Sequence, residues 1–168
     1  MLEEAPYLSY YDSDDQSKQK PFLGTGYYFW DYNMPQAMSW GRTHCRGNFV
    51  VIESEIEVPD EVYLDLAGSR QDMEYFLNLI ERHQKKGIDP QDWELGEFIE
   101  FIREENRRKR GIFEFQVIRA EDYLPPAGQF KYLFNYLKNY TNLNPRFIIC
   151  FLVLQEVFLR TKRIAYES

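Results

Sequence analysis

The amino-acid sequence predicts a mixed α+β domain with a largely antiparallel sheet. Three observations predict this class. Segments with apolar residues at every second position occur both before and after the middle of the chain. Two segments with helical apolar spacing lie between them, at about residues 69–110. The chain has 168 residues, which favours a single domain over residues 1–168 with the helical pair as an insertion.

The chain starts with a polar and acidic stretch over residues 1–21, which predicts a loop. The short apolar run Tyr27–Trp30 follows it. The segment Pro35–Trp40 predicts one or two helical turns, because proline is favoured in the first turn of a helix. This region is therefore expected to contain a loop, a short apolar run and a short helix.

A half-buried strand is predicted over Asn48–Val58, where apolar residues and glutamates lie on opposite faces. The apolar face consists of Val50, Ile52, Ile56 and Val58, and the polar face of Glu53, Glu55 and Glu57. After a turn at Pro59, alternating apolar residues predict a second short strand. These residues are Val62, Leu64 and Leu66.

Two amphipathic helices are predicted next, each with apolar residues at positions i, i+3, i+4 and i+7. They are Met73, Phe76, Leu77 and Ile80 in the first helix, and Leu95, Phe98, Ile99 and Ile102 in the second. Ser69 and Asp89 are the predicted N-caps. The second helix ends in the basic run Arg107–Arg110. This run favours a solvated helix end, stabilised by the helix dipole, over a phosphate-binding surface.

The last third of the chain predicts a strand, a third helix and closing strands. The strand covers Ile112–Arg119, with Phe113, Phe115 and Val117 on one face and Glu114 on the other. Helical spacing predicts the third helix from Phe130, Leu133, Phe134 and Leu137. The segment Arg146–Tyr166 predicts either two strands or one long bent strand.

Composition and charge exclude several classes of protein. With 44% apolar and 28% charged residues, the chain is not a disordered one, and its net charge of −7 is unfavourable for binding duplex phosphates. The longest apolar run, Phe147–Leu154, is too short to cross a membrane. His44 and His83 lack further ligands at metal-binding spacing, so no metal site is expected. We expect a cytoplasmic protein in which Cys45 and Cys150 are free thiols.

The most informative stretch is Leu23–Gly41, which reads LGTGYYFWDYNMPQAMSWG. Taken alone, its Gly-x-Gly element is also typical of a plain turn that leads into a strand. The longer pattern resembles the Gly-x-Gly-x-Tyr-Phe-x-Asp signature, with a helical alanine beyond it, of the ADP-ribosyltransferase fold. This form is found in poly(ADP-ribose) polymerases and in bacterial toxin-like relatives. The matching residues are Gly24, Gly26, Tyr28, Phe29, Asp31 and Ala37.

The resemblance implies a split sheet of the ADP-ribosyltransferase type, with an NAD site whose nicotinamide pocket is built by the signature strand and the helix after it. It implies NAD as the cofactor or substrate, and a protein or nucleic acid as a possible acceptor. The implied cofactor-binding residues are Gly24, Gly26, Tyr27, Tyr28, Gln36, Ala37 and Trp40. Trp40 is the nearest aromatic residue that would stack on the nicotinamide ring.

The sequence departs from the family pattern at two places. The family usually opens with a strand that carries His-Gly or Arg-Gly, and we expect that strand to be missing because residues 1–5 resemble the end of the helix after it. The family's catalytic glutamate stands at the head of a late strand, where this chain has Arg146. NAD cleavage develops positive charge on the ribose, which a carboxylate stabilises. Glu114 is the first candidate for that carboxylate and Glu156 the second, although both are also typical of solvent-facing glutamates.

Three functions therefore stay open. The chain is an enzyme that transfers ADP-ribose from NAD, a binding module that keeps the fold without catalysis, or a structural domain with a chance signature. The missing histidine and the cation at Arg146 favour the binding module over the enzyme. An absent opening strand would also leave a sheet edge exposed, which predicts possible self-association into a homo-oligomer.

Overall fold

Three helices and two sheets form the part of the chain that the computed structural model describes, which comprises residues 5–12, 14, 20–45, 47–122 and 145–167. The strands are β1 (Leu8–Ser9), β2 (Gly26–Trp30), β3 (Val50–Ile56), β4 (Tyr63–Asp65), β5 (Val117–Glu121), β6 (Phe147–Phe151) and β7 (Leu159–Glu167). The helices are α1 (Met34–His44), α2 (Arg70–Gln84) and α3 (Leu95–Arg108). The predicted third helix after β5, at Phe130–Leu137, lies outside the described residues.

The larger sheet has five strands in the order β1-β2-β6-β5-β4. Only β4 and β5 run parallel, and the other neighbours are antiparallel. The second sheet is the antiparallel pair β3-β7. The predicted class, a mixed α+β fold with a mostly antiparallel sheet, is therefore confirmed.

The two faces of the larger sheet are covered by different elements. One face packs against α2 and α3, whose buried residues include Phe76, Ile80, Phe98 and Ile102. The other face packs against Ile56 of β3 and the segment that leads into β7. Because side chains alternate along a strand, β2 sends Tyr28 and Trp30 to the helical side and Tyr27 and Phe29 to the opposite side.

Helix α2 begins as predicted, because the Ser69 side chain accepts a hydrogen bond from the Asp72 backbone N–H at 3.2 Å. Its buried face differs from the prediction, since Leu77 is 45% exposed and Leu79 is buried instead. Helix α3 begins later than predicted, at Leu95 with Glu94 as the N-cap residue. Residues after the predicted cap Asp89 form a turn, in which the Trp93 N–H bonds to the Pro90 carbonyl.

The predicted strand over Ile112–Arg119 is wrong in its first half, because β5 begins only at Val117. The side-chain oxygen of Asn106, near the end of α3, accepts hydrogen bonds from the backbone N–H groups of both Ile112 and Phe113. These bonds hold the segment close to the helix end. As a result Phe113 packs in the helical core, whereas Val117 packs on the other side of the sheet.

The structure also refines the predictions for the two ends of the chain. The predicted loop over residues 1–21 contains the short strand β1, which pairs with Gly26 and Tyr27 of β2. The closing segment forms two separate strands, β6 and β7, and this was one of the two predicted arrangements. Strand β3 covers Val50–Ile56, the central part of the predicted range.

Candidate functional site

The signature segment begins with a tight turn in front of β2. The Gly24 N–H bonds to the Pro21 carbonyl at 3.1 Å, and Gly24 has a φ of +82°. That backbone conformation is favourable for glycine and rarely adopted by other residues. The turn therefore explains one glycine of the signature without any ligand.

The space in front of both signature glycines is filled by the protein itself. A Cβ atom on Gly24 would lie 2.6 Å from Oε1 of Glu100, a residue of α3. A Cβ atom on Gly26 would collide with the Cys150 thiol and lie 2.8 Å from the Phe151 carbonyl oxygen, both on β6. The two glycines therefore allow α3 and β6 to lie close to the backbone of the signature segment.

Helix α3 also holds the residue between the two glycines. The Thr25 N–H donates to the Glu100 carboxylate at 2.5 Å, and the Thr25 carbonyl accepts from Arg103 at 3.0 Å. Arg103 is ion-paired with Glu100 at 2.8 Å and also bonds to the Leu152 carbonyl at 3.3 Å. The helical insertion therefore fixes the backbone of the signature segment to the end of β6.

The structure places the predicted aromatic residues in different surroundings. The Tyr28 hydroxyl accepts from the Leu23 N–H at 2.9 Å and donates to the Gly24 carbonyl at 2.5 Å, and burial raises its pKa. Trp40 is 51% exposed on α1, where its ring stacks on His44 with the centroids 4.5 Å apart. Tyr28 packs against the helical core, so the structure places these two implied cofactor-binding residues in different surroundings.

The other predicted site residues lie in four different parts of the chain. Tyr27 faces the side of the sheet opposite to Tyr28. Gln36 and Ala37 are half-buried in the first turns of α1, where the Gln36 N–H bonds to the cap residue Asn33. Glu114 is exposed in the segment that precedes β5. Glu156, the second carboxylate candidate, is exposed on a 3₁₀ turn after β6.

A charged network that the sequence analysis did not predict joins the residue after β2, the last residue of β4 and the middle residue of β5. Arg119 of β5 donates from Nε to Asp31 at 2.7 Å and from Nη1 to Asp65 at 3.2 Å. Its guanidinium carbon lies 4.2 Å from the centroid of the Phe147 ring. All three charged side chains are about one-fifth exposed. Two carboxylates thus share one guanidinium at the edge of the core.

Electrostatics in this network follow from burial and from the acidic surroundings. Partial burial acts to lower the pKa of Arg119, but the carboxylates of Asp31 and Asp65 outweigh it, and the pKa is raised. Burial, with Asp65 nearby, raises the pKa of Tyr63 to about 12.

Of the residues in this network, only Asp31 carried a signal in the sequence, as the aspartate of the signature. Arg119 could not be identified, because its partners are distant along the chain.

Arg146 lies at the head of β6, beside the end of the signature strand. Its guanidinium donates to Asp122 at 2.7 Å, and its central carbon lies 5.0 Å from the centroid of the Trp30 ring. The Asp31 N–H bonds to the Phe147 carbonyl at 3.0 Å. The two positions that the resemblance singles out, the end of the signature strand and the head of the late strand, are therefore neighbours.

We expect Gly96→Ala to destabilise the protein by about 1–3 kcal/mol, the usual range for overpacking. Alanine ordinarily stabilises a helix relative to glycine, by up to about 1 kcal/mol. Here its Cβ would lie 2.6 Å from the Pro21 carbonyl oxygen and 2.8 Å from the Gly24 nitrogen, where α3 meets the signature turn. Urea unfolding measures the change. Asn78→Ala on the exposed side of α2 is the control, and a Gly96→Ala protein as stable as this control would contradict the close packing.

We expect stability to fall as the pH rises above about 9. Burial raises the pKa of the Cys150 thiol from 9.0 to about 12 and that of Tyr63 from 10.0 to about 12. The unfolded chain releases these protons first, so each group lowers the free energy of unfolding by about 1.4 kcal/mol per pH unit between its two pKa values. Urea unfolding at about pH 8 and about pH 10.5 measures this. Cys150→Ala should have a shallower pH dependence, and an unchanged dependence would contradict the assignment.

Neither a family model nor a curated protein nor a solved structure matches this chain. No described helix is long and apolar enough to cross a membrane. In the described ranges, no group of three or more His, Cys, Asp or Glu residues is arranged to hold a metal ion.

Proposed function

We propose that the protein is an ADP-ribosyltransferase-like domain that binds a nicotinamide dinucleotide and has lost the transfer reaction. The observation that carries this proposal is the antiparallel pairing of β2 with β6, from Tyr27 opposite Phe151 to Trp30 opposite Ile148. It joins the signature strand to the late strand, although more than a hundred residues separate them. A chance signature would not require these two strands to be neighbours.

The residue at the head of β6 supports the loss of catalysis. The head of β6 carries Arg146, which Asp122 and Trp30 hold in place. A guanidinium paired with Asp122 offers no negative charge to stabilise the positive charge that develops on the ribose during NAD cleavage. Glu114, the first candidate for a replacement, is exposed and lies before β5 instead of on it.

Ligand binding would use the surface that follows β2. Tyr32 is fully exposed in the turn between β2 and α1, at a φ of +48°, and Trp40 is half exposed on α1. Aromatic rings of this kind stack on planar rings such as nicotinamide or adenine. A cytoplasmic location belongs to the same proposal, since Cys45 and Cys150 are both free thiols.

A second candidate is an interaction domain that binds no nucleotide. The packing of Gly24 against Glu100 and of Gly26 against Cys150 favours it, because internal packing alone requires both glycines. This candidate differs from the first in a single measurable property, the affinity for NAD.

Isothermal titration of the protein with NAD distinguishes the two candidates. We expect saturable binding that weakens about tenfold in Trp40→Ala, because stacking on one aromatic ring contributes about 1–3 kcal/mol. Val157→Ala, an exposed apolar residue outside the signature segment, is the matched control and should bind like the native protein. The absence of heat from binding up to several mM NAD would favour the interaction domain.

A further inference from the structure

The two sheets have four outer edges among the described residues. The five-stranded sheet ends in β1 on one side and in β4 on the other, and each strand of the β3-β7 pair has one outer edge. The backbone groups of an outer edge are a template on which another chain can add a strand. Which edge accepts a partner depends on its side chains and their charges.

The other three edges are rich in charged side chains. Strand β3 contributes Glu53 and Glu55, and β4 ends in Asp65 after Asp60 and Glu61. Strand β7 carries Arg160, Lys162 and Arg163 and ends in Glu167. Arg160 and Arg163 form ion pairs with Glu57 and Glu53, and Lys162 adds a further cation. When a strand pairs with its own copy across a two-fold axis, residue i of one copy faces residue j of the other and j faces i, so a strand rich in one charge brings like charges close together. Self-pairing is therefore unfavourable at these edges.

The β1 edge differs because residues 5–11, Ala-Pro-Tyr-Leu-Ser-Tyr-Tyr, contain no charged side chain. Its apolar residues are exposed to an unusual degree: Tyr7 by 67%, Leu8 by 50% and Tyr10 by 73%. On its inner side β1 pairs with only two residues of β2, Gly26 and Tyr27. This edge thus combines an outer strand edge with exposed aromatic and aliphatic surface.

We propose that two copies of the chain associate through antiparallel pairing of β1 with β1, which joins the two five-stranded sheets into one of ten strands. Tyr7, Leu8 and Tyr10 of each copy would cover one another in the contact. Pro6 has no N–H group, and the Tyr11 N–H already bonds to the Thr25 hydroxyl, so the added ladder is limited to about four residues. Such a short ladder makes the dimer weak and reversible.

Salt concentration distinguishes this contact from an ionic one. Each copy carries a net charge of −7, so screening reduces the repulsion between copies and strengthens an apolar contact. The rival arrangement, acidic β3 of one copy on basic β7 of the next, depends on opposite charges and weakens as salt is added. The two contacts therefore respond to salt in opposite directions.

Analytical ultracentrifugation of the full chain at about 10 to about 500 μM, in about 50 mM and about 500 mM salt, tests the proposal. We expect the average mass to rise from 20.3 kDa toward twice that value with protein concentration, and to rise further at the higher salt. Leu8→Lys and Tyr10→Lys should each stay monomeric, since each places like charges in the contact. Val157→Lys, at a residue 62% exposed elsewhere, should dimerise normally.

Folding controls keep the result interpretable. Circular dichroism and thermal unfolding should be the same for Tyr10→Lys as for the native chain, because the Tyr10 side chain is mostly exposed. A native chain that stays monomeric throughout the range would overturn the proposal. So would association that decreases with salt, or a folded Tyr10→Lys variant that dimerises like the native protein.

Discussion

Arg119→Met is expected to destabilise the protein by about 3 kcal/mol, the lower end of the range for breaking a buried ion pair from one side. The substitution keeps about the length of the side chain but removes the guanidinium that bonds to both Asp31 and Asp65 and lies over the Phe147 ring. Two carboxylates, each about one-fifth exposed, then remain close together without the guanidinium between them. Urea unfolding followed by tryptophan fluorescence measures the loss.

Two further variants separate the charge effect from the loss of packing. Arg119→Lys keeps the charge but cannot donate to two carboxylates in a fixed fork, so it should have an intermediate stability. The double variant Asp31→Asn with Arg119→Met should recover part of the loss, because fewer uncompensated charges remain. Equal stability of Arg119→Met and the native protein would show that the network does not stabilise the fold.

The sequence could predict those elements whose signals are local. Apolar spacing and a capping serine identified α2, and alternation identified β3, because each pattern extends over only a few neighbouring residues. The end of β6 and the start of β7 were uncertain, since an apolar run by itself does not indicate where a strand bends. The position of β5 was mispredicted because Phe113 and Phe115 alternate like strand residues but are held beside α3 by Asn106.

The candidate site was less predictable, because its contacts join residues far apart in the sequence. The two signature glycines were interpreted as part of a cofactor pocket, and nothing local indicated that Glu100 and Cys150 would occupy the space in front of them. Arg119 and its partners are separated by 54 and 88 positions. A pairing of this kind becomes visible only when the strand order of the sheet is known.

We expect the 168-residue chain to transfer ADP-ribose at least about 100-fold more slowly than an active transferase assayed in parallel. Arg146 stands at the head of β6, where the resemblance implies a catalytic carboxylate. Because Asp122 holds this guanidinium at 2.7 Å and Trp30 lies beneath it, the cation is fixed there. A guanidinium that is already paired with a carboxylate supplies no negative charge to stabilise a cationic ribose.

Incubation of the protein with labelled NAD and a cell lysate tests this expectation. The native chain is compared with Arg146→Glu, with Glu114→Ala, and with the double variant Asp122→Asn, Arg146→Glu. The double variant is needed because a glutamate at position 146 would face the nearly buried carboxylate of Asp122, and the repulsion would destabilise the fold. Labelling that appears only when position 146 carries a carboxylate would identify the missing charge as the cause of inactivity. Strong labelling by the native chain would contradict the prediction, and its loss in Glu114→Ala would then identify Glu114 as the carboxylate that replaces it.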